Sequence, residues 1–388
     1  MLKTFFTYPW PSIRKTFKKI HLWLGLLSAL ILTIVCLSGT LYIFKQETLE
    51  VLNHDAFNIT PVSKGIAPEN LISRIESQTG NKVTSVTIPE EQDKAWTFNV
   101  KTKGYHHGQN YLVNPHSGDI TSYNTLKGAA FFSVLIRLHR WLLLDTSIGR
   151  PIVGWSSIIM SLLIISGLII WLPRKIRYWK KGLPVRFSKN TKRLIYELHK
   201  GLGFYAAVFI LLMSLTGPFW SFSWYREGTR KIMNIEMPER KQGEKTPLKN
   251  LNEVQGNLQN TPKKYSLEQY LSIAEKVFPY NGTYSIYIPK QQACSILVEK
   301  NKTGFFASFG TDKVEIDTKS GDTLSVSRFA DNPLNFKILY SIKALHTGSI
   351  FSLFSKILYF IAGLIASSLP LTGVLIWMNR KMKKHKKG

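Results

Sequence analysis

The chain has 388 residues, 51 Lys and Arg against 24 Asp and Glu, two cysteines and 44% hydrophobic residues. Four stretches, 22–44, 152–172, 202–222 and 357–378, contain no Asp, Glu, Lys or Arg. Each is roughly the 20 residues a helix needs to cross a bilayer core. That segregation excludes a soluble enzyme, and it removes nucleic-acid binding as the reading of the +27 net charge.

In chain order, residues 1–20 hold five basic residues and no acid. They read as a cytoplasmic basic N-terminus, because Lys and Arg beside spans stay cytoplasmic. The first span, TM1 at 21–44, has too long an apolar run for a signal peptide. It also lacks a small-x-small cleavage pattern around Thr40-Leu41-Tyr42, so it reads as an uncleaved signal-anchor. Residues 45–150 form a first extracytoplasmic module with a predicted amphipathic helix at 68–80 and strands at 83–88, 95–101 and 111–114. A turn, Asn114-Pro-His-Ser-Gly118-Asp119, follows.

TM2 (151–172) leads into a cytoplasmic loop, 173–200, with ten basic residues and one acidic. TM3 (201–222) precedes a second extracytoplasmic module, 223–350. Its predicted helix lies at 266–277 and its strands near 283–288, 293–300 and 313–316, with the turn Asp317-Thr-Lys-Ser-Gly321-Asp322. The polar stretch 236–261 reads as a mobile loop. TM4 (351–378) ends in a tail, 379–388, with six basic residues and no acid. The two termini and the loop hold +20 of the net +27, which orients the chain N-in and C-in. Each outer module has roughly 60 residues, near the lower limit for independent stability. Cys36 lies within a span and Cys294 in an outer module, so no disulfide joins them.

The chain repeats itself in parallel. His21-Leu-Trp-Leu-Gly25 opens the first span and Ser38-Gly39 closes it; His199-Lys-Gly-Leu-Gly203 opens the third and Thr216-Gly217 closes it. Leu138-His139 precedes the second span, which carries Ser166-Gly167 and Trp171. Leu345-His346 precedes the fourth, which carries Thr372-Gly373 and Trp377. The expected fold is an α-helical membrane protein with four transmembrane helices in two parallel repeats, each bearing an extracytoplasmic α+β module.

The four apolar stretches lack Asp, Glu, Lys and Arg, which argues against a proton-coupled transporter. Four of the nine histidines occupy the repeated positions, His21 and His199 at the cytoplasmic ends of spans, His139 and His346 near the outer face. Two imidazoles from facing helices, with no cysteine or carboxylate beside them, suit a haem iron held axially from both sides. Gly25, Gly201 and Gly203 would let a flat macrocycle approach the backbone. Zinc would want further ligands, and none repeats nearby.

These motifs, His21-x-Trp23-x-Gly25-Leu26, Leu138-His139-Arg140-Trp141-Leu142, His199-x-Gly201-x-Gly203 and Leu345-His346-Thr347-Gly348, together with the two Ser-Gly-Asp turns, resemble the PepSY-associated transmembrane proteins. The resemblance covers essentially the whole chain and makes the outer modules PepSY-like. It implies a multi-pass haem protein of the bacterial cytoplasmic (inner) membrane, linked to iron uptake. Members resembling ferric-siderophore reductases carry two b-type haems and reduce Fe(III) at the outer face. Carried over, His21 and His199 would ligate the inner haem, His139 and His346 the outer one, with no further catalytic residue assigned. Lys200-Gly201 stands where the first copy has Leu22-Trp23, so the two inner positions are not equivalent.

No NAD or flavin fingerprint occurs in the cytoplasmic segments, so electrons would come from quinol or a cytoplasmic reductase. The expected partners are the bilayer, that donor, and a ferric siderophore or other Fe(III) complex, with no nucleic acid. Trp23, Phe209, Phe219 and Trp220 could line the interior between the haems, although ordinary packing and an interfacial belt explain them too, and Arg137, Arg140 and Lys343 could pair with propionates or simply be solvated. His106, His107 and His116 could bind a metal loosely, although a solvated hairpin tip explains them too. The alternative function is non-enzymatic, with the outer modules regulating or inhibiting an extracytoplasmic peptidase and the spans serving as anchors.

Overall fold

Four helices of the computed structural model are long and apolar enough to cross a membrane. They are span 1 (Trp10–Tyr42), span 2 (Thr146–Trp171), span 3 (Thr191–Thr216) and span 4 (Ser352–His385). The structure describes residues 10–61, 65–104, 108–173, 175–235, 265–289 and 294–385. The expected loop at 236–261 and the pair His106-His107 lie outside them. Two compact units result, one from Met1–Thr48, Ala130–Thr229 and Ser341–Gly388, the other from Leu49–Ala129 and Arg230–Tyr340.

In the first unit, span 1 packs on spans 2 and 4, and span 3 packs on the same two. Spans 1 and 3 therefore lie across the bundle from each other. The core is apolar and small-residue-rich, with Ala206, Ala207, Ala362 and Ala366 beside Leu32, Met160, Leu163 and Ile210. Small residues let helices approach where lipid supplies no hydrophobic drive. Buried hydroxyls fit the same interior because each bonds a carbonyl of its own or a neighbouring helix. Ser161 Oγ meets Ser214 Oγ at 2.9 Å, and Ser157 Oγ donates to Ser214 O at 2.9 Å, tying span 2 to span 3.

Outward faces are apolar. Trp23, Leu27 and Leu30 on span 1 are 67%, 79% and 74% exposed, as lipid-facing positions of a membrane helix must be. Span ends are capped from sequence. Asp145 accepts from Ser147 N at 2.8 Å before span 2, and Asn190 accepts from Lys192 N at 3.0 Å before span 3. Arg14 donates to Ile170 O at the last turn of span 2, from Nη2 at 2.7 Å, which supplies a partner to an otherwise orphaned carbonyl.

The second unit holds one eight-stranded antiparallel sheet in the order β4-β3-β2-β1-β5-β6-β7-β8. Its strands are β1 (Val83–Ile88), β2 (Trp96–Val100), β3 (Gln109–Val113), β4 (Ile120–Ser122), β5 (Gly282–Tyr287), β6 (Ser295–Lys302), β7 (Thr311–Asp317) and β8 (Thr323–Ser327). The helices Pro68–Thr79 and Leu267–Val277 bury Leu71 and Ile75, and Leu267, Tyr270 and Ala274, in two apolar clusters with the strands. Instead of two marginal modules, the two four-stranded meanders share a seam. β1 pairs β5 with Val86 opposite Ile286, and Thr87 Oγ1 meets Ser285 Oγ at 3.2 Å. Each meander thereby covers an edge the other would leave open.

Both expected turns form. Asn114 Oδ1 accepts from His116 N at 2.8 Å, and Asp317 Oδ1 from Lys319 N at 2.7 Å. Gly118 and Gly321 close the turns at φ +74° and +76°, a conformation that favours glycine.

Candidate functional site

The four repeated histidines meet in two pairs within the helical unit. His21 of span 1 and His199 of span 3 face each other across the bundle, ring centroids 6.2 Å apart and nearly perpendicular at 88°. His139, on the helix Ala129–Trp141, faces His346, on the helix Ile342–Thr347, with centroids 6.0 Å apart and ring planes at 51°.

Every ring is held through Nδ1 by a span that is not its own. His21 Nδ1 lies 3.1 Å from Leu163 O and 3.0 Å from Ser166 Oγ, both on span 2. His199 Nδ1 lies 2.8 Å from Thr372 Oγ1 on span 4. His139 Nδ1 lies 2.8 Å from Val35 O on span 1. His346 Nδ1 lies 2.9 Å from Thr216 Oγ1 and 3.0 Å from Met213 O on span 3. A carbonyl only accepts, so in His21, His139 and His346 the proton sits on Nδ1. Thr372 Oγ1 donates to Ser368 O and Leu369 O, both at 3.0 Å, leaving its oxygen to accept from His199. Nε2 then carries the free lone pair in all four, and among the described residues none makes a hydrogen bond.

An oriented imidazole with an unengaged second nitrogen is the arrangement of a metal ligand. Centroid separations of 6.2 and 6.0 Å bring the two imidazoles of each pair to one place in the bundle. Among the described residues no group of three or more His, Cys, Asp or Glu could hold a metal. Two histidines per pair would suit an iron whose remaining positions a macrocycle fills.

The surroundings of the first pair fit such a group. His21 and His199 open into a cavity of about 570 Å³, within the usual range for cofactor sites. Gly25, Gly167, Gly203 and Gly373 lie in its wall. A methyl group on Gly167 would stand 3.3 Å from the His21 ring. Trp171 Nε1–H is buried in that wall without a partner, a donor that a bound carboxylate would satisfy. Lys15, Lys18, Lys19 and Arg380 stand at the same cavity, with no carboxylate partner among the described residues. At the second pair, Gly39 is the close approach, since a Cβ there would fall 2.6 Å from the His139 ring. Trp220 stands edge-on to His346 at 5.1 Å.

Along span 1, His21 and the Val35 carbonyl that holds His139 are 14 residues apart, as are His199 and Met213 on span 3. At 1.5 Å per residue the two pairs lie about 21 Å apart along the bundle.

Sequence reasoning placed the histidines but missed what the Ser/Thr-Gly steps do. Each span's step serves a histidine carried outside that span, the hydroxyl or the carbonyl three residues earlier holding Nδ1 and, in spans 1, 2 and 4, the glycine passing close to the ring. Their repetition was the visible signal. Two expectations are corrected. Trp23 points outward rather than into the interior, being 67% exposed. Gly201 faces Val185, whose Cγ2 would be 2.4 Å from an added Cβ, so it is closed to a macrocycle. Phe209 packs in the core against Tyr359, 5.5 Å between centroids.

Comparison with protein families matches residues 18–380 to the PepSY-associated TM region. The chain belongs to that family. No curated protein matches it.

Proposed function

Starting from that membership, we propose that this PepSY-associated protein carries electrons across the bacterial cytoplasmic membrane through two bis-histidine b-type haems. It would reduce ferric-siderophore or related Fe(III) complexes at the outer face, with both termini inside and two parallel repeats each contributing one ligand to each haem. The observation that carries this reading is the shared arrangement of the four rings, Nδ1 anchored and Nε2 free, in two facing pairs. When bound, each haem would supply a one-electron centre.

The chain's own residues supply the rest. The neutral acceptors at Nδ1 fix one tautomer and keep Nε2 a ligand in both redox states. The apolar residues around the ligands would lower the local dielectric, which raises the weight of every nearby charge. Each electron delivered converts one Fe(III) of the complex to Fe(II), and a quinol donor would release two electrons and two protons on the inner side. No donor-binding domain is assigned to the chain itself.

The test is reconstitution of the full chain in liposomes with a reductant enclosed and a ferric chelate outside. External Fe(II) should accumulate with wild type and fall to the protein-free rate in H21A and H346A. Equal rates for wild type and both variants would overturn the reading and favour the non-enzymatic regulator.

A further inference from the structure

After span 3 the chain makes one helical turn, Pro218–Ser221, and then a ten-residue helix, Ser223–Ile232. Tyr225 ties this helix back to the bundle, its hydroxyl donating to Leu215 O on span 3 at 2.7 Å. Rings extend the link. Phe222 lies 5.6 Å from Trp155 of span 2 and 5.5 Å from Trp224, centroid to centroid. Trp155 and Trp224 are each 54% exposed, and Trp220, beside His346, is 38% exposed. The three tryptophans thus form an exposed aromatic row at the His139–His346 end of the bundle. Membrane helices carry such belts at the level of the headgroups.

The helix continues that row. Trp224, Gly228 and Ile232 recur every fourth residue and share one stripe, with Arg226 and Arg230 on the opposite side and Glu227 and Lys231 along a flank. Ile232 is 88% exposed, and the helix buries none of its residues. With four charges in ten residues it is too short and too polar to cross a bilayer. Arg226, Arg230 and Lys231 have no carboxylate partner among the described residues. Arg230 Nε is buried and has no acceptor among them either. In water an uncovered Trp–Ile stripe forgoes its burial energy, and a buried guanidinium donor without an acceptor is costly. An apolar stripe with Trp, backed by unpaired arginines, is the composition of a helix that lies in a membrane interface.

We propose that Ser223–Ile232 is an interfacial helix that docks on the phospholipid surface at the His139–His346 end of the bundle. Trp224 and Ile232 enter the boundary of the acyl chains, and Arg226 and Arg230 take headgroup phosphates. The occupant is the bilayer that the four spans already require, reached without a break through Trp155, Phe222 and Trp224. Only the spans are needed for this, so it stands apart from the haem reading.

The experiment is site-directed spin labelling of the full chain in phosphatidylcholine–phosphatidylglycerol vesicles. Labels are placed singly at W224C, E227C, G228C and I232C in a C36A/C294A background. Gly228 accepts a side chain, since an added Cβ meets nothing within 4 Å. Collisions with oxygen, which concentrates in lipid, are compared with those of a water-soluble nickel chelate. The oxygen-to-nickel ratio should be several-fold higher at W224C, G228C and I232C than at E227C. In an R226Q/R230Q background the ratio at I232C should fall toward the E227C value; an unchanged ratio would overturn the phosphate contact. With unlabelled protein, brominated phospholipid should quench tryptophan emission more in wild type than in W224F. Equal ratios at all four positions, with W224F quenched as strongly as wild type, would overturn the proposal. So would a label at I232C reached by neither probe and broadened by a second label, the signature of a contact between copies of the chain.

Discussion

The two units treat buried polar groups in opposite ways. In the sheet unit, Lys300 is 1% exposed and fully engaged. Its Nζ donates to Glu275 Oε2 at 2.7 Å and to Phe278 O at 2.9 Å, and lies 4.5 Å from the Tyr284 ring centroid. In the helical unit, four half-buried imidazoles each have one nitrogen anchored and the other without a partner. Burying a polar group without a hydrogen bond is costly. The four Nε2 atoms, left open in one repeated orientation, are the ones the proposed function assigns to a bound group. Lys300, with its partners supplied from within, holds the fold together.

The contrast can be broken first at the histidines. H139A or H346A should remove one haem of two per chain, as should H21A or H199A, measured as haem per protein by pyridine haemochrome. Lys300→Met should leave haem content unchanged, since it touches only the other unit. A loss of haem in K300M would erase the distinction.

Glycine substitutions sharpen the account. G39A places a methyl 2.6 Å from the His139 ring, against 3.3 Å from His21 for G167A and 3.6 Å from His199 for G373A. Haem retention should therefore fall in the order G373A, G167A, G39A, with G39A losing most of the second site. Stability gives the next effect. Lys300→Met removes two charge-assisted bonds, leaving the Phe278 carbonyl with Tyr280 N–H and Glu275 with the Tyr284 hydroxyl, and should cost about 2 kcal/mol, the half-exposed carboxylate discounting the full penalty of a broken buried pair. Thermal unfolding followed by near-ultraviolet circular dichroism checks it. The smallest change is expected for S166A and T216V. Each removes one neutral acceptor from Nδ1, worth about 1 kcal/mol, and should shift a one-electron midpoint potential by roughly 40 mV without loss of haem. Redox titration of the absorption bands measures that shift.

Much of this was legible in the chain because the signals are local. Charge-free runs mark spans, and the Ser-Gly-Asp steps mark two turns whose glycines do sit at positive φ. The helices beginning at Pro68 and Leu267 follow from apolar spacing and, in the second, from the Ser266–Gln269 capping box. What was not legible depends on distant pairing. The β1–β5 seam joins residues about 200 positions apart, and nothing in either strand names its partner. β4 and β8 are short or exposed on both faces, so they lack the alternation that betrays a strand. The crosswise service of each Ser/Thr-Gly step to another helix's histidine is invisible until the bundle order is known. Trp23 follows the same logic, since span 1 is apolar all round and periodicity cannot tell lipid from core.

The central claim is that the two histidine pairs are bis-axial haem sites. Its most direct test is the absorption spectrum of detergent-purified full-length protein, oxidised and dithionite-reduced, with haem quantified per chain. The account predicts a sharp low-spin b-type spectrum, close to one haem for each of the two pairs. A colourless protein from haem-sufficient cells, or a spectrum unaltered in a variant lacking all four histidines, would contradict it.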